Sequence, residues 1–138
     1  MTSYLTEARE HLAEEIALLC LYHYTPVETN LLYSLLKQPN PLLSYVEFRD
    51  LLRSDFYKLG RCVVVLLLNA QKTQVEQLHP IDAARCAILT TDKKQMDKYP
   101  EGYVVVRSQG QEPNLLVDYR NVIVLDKDYL EEHFNADL

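Results

Sequence analysis

Gly60-Arg61-Cys62-Val63-Val64-Val65-Leu66-Leu67-Leu68 is the stretch on which the fold turns. From Cys62 to Leu68 every side chain is apolar, and Gly60 stands just ahead of the run. A short continuous apolar run rich in β-branched residues and bounded by a turn signal reads as a strand covered on both faces, hence central in a sheet. It is also where the period of the sequence changes, from helical before it to strand-like after it.

Upstream, three helices are expected. The third begins at Ser44, with Glu47 completing a capping box and Leu43 facing Phe48 across the cap as a hydrophobic staple. Phe48, Leu51, Leu52 and Phe56 mark its buried side, and Gly60 is its C-terminal cap. The second starts at Thr25, with Pro26 at the first helical position and Glu28 closing another capping box. It carries Val27, Leu31, Leu32, Leu35 and Leu36 and is stopped by Gln38-Pro39-Asn40-Pro41. The first spans residues 4–24, with Leu5, Ala8, Leu12, Ile16, Leu19 and His23 on one face. Between Ile16 and Tyr22 it is apolar all round, so that segment requires burial on every side.

Downstream, strands are expected at Cys86–Thr90, Tyr103–Arg107, Leu115–Val117 and Val122–Leu125. Residues 71–78 read as a short helix, and Asp92 with Gln95 caps one or two helical turns before Pro100. Asp126 caps a last short helix through Phe134. The expectation is an α+β fold: three N-terminal helices packed on a mixed sheet of about five strands, then a short C-terminal helix. One domain, 1–138, is expected, with a helical half 1–60 and a mainly strand half 61–138.

Composition narrows the function. The formal charge is −6, spread as −3 on residues 1–60 and −3 on 61–138, so nucleic acid is not an expected partner. Cys20, Cys62 and Cys86 are odd in number and lie in apolar runs, which points to buried free thiols and a reducing, cytoplasmic compartment. Glu7, Glu10, Glu14 and Glu15 do not suit a secretory leader, and the apolar runs are too short to span a membrane.

Chemistry-bearing motifs are sparse. With Gly only at 60, 102 and 110, neither a phosphate-binding loop nor a dinucleotide loop can be written. His11 and Glu15 have the spacing of two metal ligands, but a solvated charged face explains them, and no metal or other cofactor is expected. Cys62 or Cys86 with His79 and Asp82 would compose a nucleophilic triad, an enzyme reading set against the inertness of thiols inside strands. Arg49 and Arg53, with Lys58 and Arg61, give helix 3 a basic side and an alternative role in nucleic-acid binding. Glu47, Asp50 and Asp55 dilute that side, and ordinary surface pairing accounts for it. Asp126, Asp128, Glu131 and Glu132 suit the first turns of the last helix.

The tyrosines Tyr22, Tyr24, Tyr33, Tyr45 and Tyr57 gather on or beside the helices, where a ring can pack while its hydroxyl stays wet. Together with the apolar surplus of helix 1, they favour a non-enzymatic protein-interaction or regulatory module: an inhibitor, adaptor, immunity-type factor or assembly subunit. Its expected contact residues are Leu18, Leu21, Tyr22 and Tyr33, engaging a protein partner or a second copy.

Overall fold

The computed structural model describes residues 4–21, 33–89, 101–108, 110 and 113–134. Its helices are α1 (Tyr4–Leu21), α2 (Tyr33–Lys37), α3 (Tyr45–Leu59) and α4 (Lys127–Phe134). The strands are β1 (Arg61–Leu68), β2 (Val75–Ile81), β3 (Cys86–Leu89), β4 (Tyr103–Val106), β5 (Leu115–Asp118) and β6 (Val122–Asp126). Short 3₁₀ turns occupy Ala83–Arg85 and Tyr119–Asn121. The expected starts of the second helix at Thr25 and of the turns at Asp92 lie outside the described residues.

The fold mixes helix and sheet, but the single mixed sheet is corrected to two antiparallel sheets of three strands, ordered β2-β1-β6 and β3-β4-β5. The reason lies in β1. Alternation sends Cys62, Val64 and Leu66 into one core and Val63 and Val65 into another. The first core is closed by α1, α2, α3 and α4, through side chains such as Ile16, Leu19, Leu36, Phe48 and Leu130. The second is closed by the inner faces of β3 and β4, through Cys86, Val104 and Val106. The central sheet is therefore a middle layer, and the apolar run at 62–68 is continuous because each of its faces has a different cover.

The helix expected at 71–78 is overturned as well: Val75–Ile81 is a strand on the edge of the central sheet. A bulge explains the misreading. Leu67 pairs with Gln77 and Leu68 with Val75, so Glu76 is an extra residue in the ladder. Val75 and Leu78 then face the same core at a spacing of three, which imitates a helix in the sequence. Pro80, which lacks a donor, is tolerated because β2 has an open side.

That open side is partly closed by the linker between α2 and α3. The Leu78 amide donates to the Pro39 carbonyl at 2.8 Å, and Asn40 Nδ2 donates to the Leu78 carbonyl at 2.8 Å. Asn40 Oδ1 accepts from the Leu42 amide at 2.9 Å, so this buried amide is used at both ends.

The local signals at helix ends behave as expected. Ser44 Oγ accepts from the Glu47 amide, Glu47 Oε1 accepts from the Ser44 amide, and Gly60 ends α3 at φ 76°. Asp126 Oδ1 accepts from the Tyr129 amide at 2.9 Å at the head of α4. Two arginines lock α1 to its neighbours. Arg9 Nε donates to the Val122 carbonyl, with its guanidinium over the Tyr119 ring, and Arg53 Nε donates to the Leu19 carbonyl in the last turn of α1. Among the described residues, no helix is long and apolar enough to cross a membrane.

Candidate partner-binding surface

The buried side of α3 is formed by Phe48, Leu52 and Phe56, at spacings of four. Leu51, expected on that side, is instead 49% exposed, and Leu59 and Tyr57 are 47% and 72% exposed. Leu51, Asp55 and Leu59 follow one another at successive turns on the flank of α3 that looks toward the end of β2. There they border a groove of about 450 Å³, whose far wall is Pro80, Ile81, Asp82 and Ala84. Asp55 Oδ2 accepts from the Ala83 amide at 3.1 Å, which ties the two walls together at one end. A second cleft beyond Lys58 and Leu59 runs past Gly60 to Lys127 at the head of α4, so Leu59 forms the ridge between them. The surface combines apolar side chains with charges of both signs, the mixture found at protein contact surfaces.

The expected contact residues have varied positions. Leu18 and Leu21 are half-buried near the end of α1, and Leu21 packs against the first core. Tyr33 is half-buried at the start of α2, where Lys37 Nζ sits 5.4 Å from its ring centroid. Tyr22 lies outside the described residues. Most of the apolar surplus of helix 1 has been absorbed: Leu12, Ala13, Ile16, Ala17, Leu19 and Cys20 are all in the first core. Sequence reasoning missed the exposed flank of α3, because Leu51 follows Phe48 and Leu59 follows Phe56 by three positions, the spacing of a shared buried face, and nothing local marks either as exposed.

The residues of the enzyme reading are used elsewhere. His79 Nε2 is 2.8 Å from Gln77 Oε1, and Asp82 Oδ1 accepts from the Ala84 amide. Cys62 is fully buried with its Sγ 3.8 Å from that of Cys20. The thiol–thiol hydrogen bond, reinforced by burial, holds Cys62 well above its ordinary pKa. Burial likewise raises the Cys86 thiol. All three cysteines are free thiols. Among the described residues, no three His, Cys, Asp or Glu side chains are grouped to hold a metal ion.

The basic side of α3 is also committed. Arg49 pairs with Asp50 at 3.1 Å and lies over the Tyr45 ring, while Arg53 serves the end of α1. No protein-family model matches the chain, and no curated protein shows significant similarity to it.

Proposed function

We propose that this chain is a non-enzymatic protein-interaction module, of the inhibitor, adaptor, immunity-type or assembly-subunit kind, whose principal contact surface is the groove between α3 and the end of β2. The observation that carries this reading is the pair Leu51 and Leu59, half-exposed two turns apart on one flank of α3 beside Pro80 and Ile81. Grouped exposed apolar side chains rimmed by charges mark contact sites far more often than isolated ones do. Leu18 and Leu21 at the end of α1 and Tyr33 at the start of α2, all half-buried, are further positions that a partner or another copy of the chain would reach. A nucleic-acid reading through Arg49 and Arg53 has less support, because Asp50 lies 3.1 Å from Arg49 and Glu47, Asp50 and Asp55 dilute the charge of α3. An enzyme reading through Cys62 or Cys86, His79 and Asp82 lacks a thiol–imidazole contact.

The test compares the wild type with Leu51→Asp/Leu59→Asp by sedimentation and by cross-linking in the native host extract. The expected result is a defined complex or dimer of the wild type that the double variant loses while keeping its thermal midpoint. A wild type that stays monomeric and cross-links to nothing, or a complex indifferent to the double variant, would overturn the groove as the contact surface.

A further inference from the structure

Arg85 closes the 3₁₀ turn before β3, and Arg107 follows the last residue of β4. Cys86 pairs with Val106 in the ladder, and the Arg107 amide donates to the Arg85 carbonyl at 2.8 Å. The two arginines thus prolong the antiparallel pair by one step and stand opposite each other. Their side chains are clipped to that step: Arg85 Nε donates to the Arg107 carbonyl at 2.7 Å, and Arg107 Nη2 donates to the Ala84 carbonyl at 2.8 Å. Among the described residues, no carboxylate lies within 4.0 Å of either guanidinium. Like charges facing each other across a strand pair repel. Among the described residues Asp50 pairs with Arg49 and Asp118 with Arg120, yet none supplies an acid here.

The surroundings say what kind of group would complete the pair. Val106 points into the second core, so by alternation Arg107, Val105 and Tyr103 lie on the outer face of the second sheet. Ala87 and Leu116 are the cross-strand partners of Val105, and Leu116 is 42% exposed. A cationic end therefore adjoins a short apolar row. Asp118, opposite Tyr103 at the far end of this face, is already paired with Arg120, so the unpaired positive charge is confined to the Arg85–Arg107 end. After their carbonyl bonds, both guanidiniums keep N–H donors, and their rotamers are already held.

We propose that the outer face of the β3-β4-β5 sheet binds an acidic peptide segment of a partner protein. One carboxylate bridges Arg85 and Arg107, and a neighbouring apolar side chain lies on Val105 and Leu116. A guanidinium fork matches the two oxygens of a carboxylate. The bridge sets one negative charge between two facing positive ones and so relieves their repulsion. This site stands on separate observations from the α3 groove, and the two meet only at Ala84, which borders the groove and whose carbonyl holds Arg107 Nη2.

The experiment titrates the full chain with a short fluorescent peptide alternating Glu with Val or Leu, following anisotropy and the arginine Nε–Hε resonances. The expected result is saturable, salt-sensitive binding that shifts Arg85 and Arg107 and weakens about tenfold in Arg107→Gln, the loss of one charge-assisted contact. Leu116→Asp, which leaves the arginine clips untouched, is expected to weaken binding as well and covers the case in which Arg107→Gln fails to fold. Leu51→Asp/Leu59→Asp is expected to leave this binding unchanged, which separates its failure from that of the α3 groove. The proposal is overturned if the peptide with Gln in place of Glu binds equally well. It is equally overturned if Leu116→Asp binds like the wild type, or if inorganic phosphate alone shifts both arginines as strongly as the peptide does.

Discussion

At the scale of single residues, side chains read from the sequence as punctuation turn out to join distant parts of the chain. Asn40 sits in a proline-flanked stop signal, and nothing near it in sequence says that its amide reaches Leu78, 38 residues on. Its position is legible as a turn, but its partner is not, because the hydrogen bond exists only once β2 lies alongside the linker. We expect Asn40→Ala to cost about 1–3 kcal/mol, since it strands the carbonyl of Leu78, a fully buried residue. Equilibrium unfolding in urea measures this, and a loss under half a kilocalorie would mean that water replaces the amide without penalty. Arg53 teaches the same lesson: its charge is plain in the sequence, but its use on the Leu19 carbonyl depends on how α1 and α3 pack.

Among the elements, α3 is the one most fully written in its own residues. Ser44, Glu47 and Gly60 set its ends through contacts within a few positions, so the reading and the structure agree there. Its faces are another matter. Leu51 and Leu52 are adjacent leucines with the same propensity, and only the placement of the central sheet decides that Leu52 is buried and Leu51 is not. We therefore expect opposite outcomes from one chemical change. Leu52→Asp should unfold the protein, because a carboxylate in that core costs several kcal/mol. Leu51→Asp should shift stability by less than about 0.5 kcal/mol, as exposed substitutions do. Paired thermal melts decide it, and equal losses would place Leu51 in the core. β2 is the converse of α3: its bulge at Glu76 disturbs the strand period, and its identity comes from pairing with β1 rather than from its own pattern.

For the whole molecule, β1 is the shared wall of two cores. Val63 faces the second sheet and Val64 faces the helices, both without solvent exposure. If the two cores unfold together through this strand, Val63→Ala and Val64→Ala should each cost about 2 kcal/mol and move one common transition. Tyrosine fluorescence and backbone circular dichroism recorded on each variant would reveal the alternative, two transitions of which each variant moves only one. The chain's own pattern determined the helical first part, the caps at Ser44, Gly60 and Asp126, the central place of Cys62–Leu68 and the buried character of the three thiols, because these depend on neighbours a few residues away or on bulk polarity. Only the tertiary structure decided that there are two sheets instead of one, that β2 is a strand, that Leu51 and Leu59 remain at the surface, and that Arg85 and Arg107 meet. Those outcomes depend on which distant segments cover each face of β1 and each edge of a sheet, a choice made by packing across the whole chain and carried by no local stretch of it.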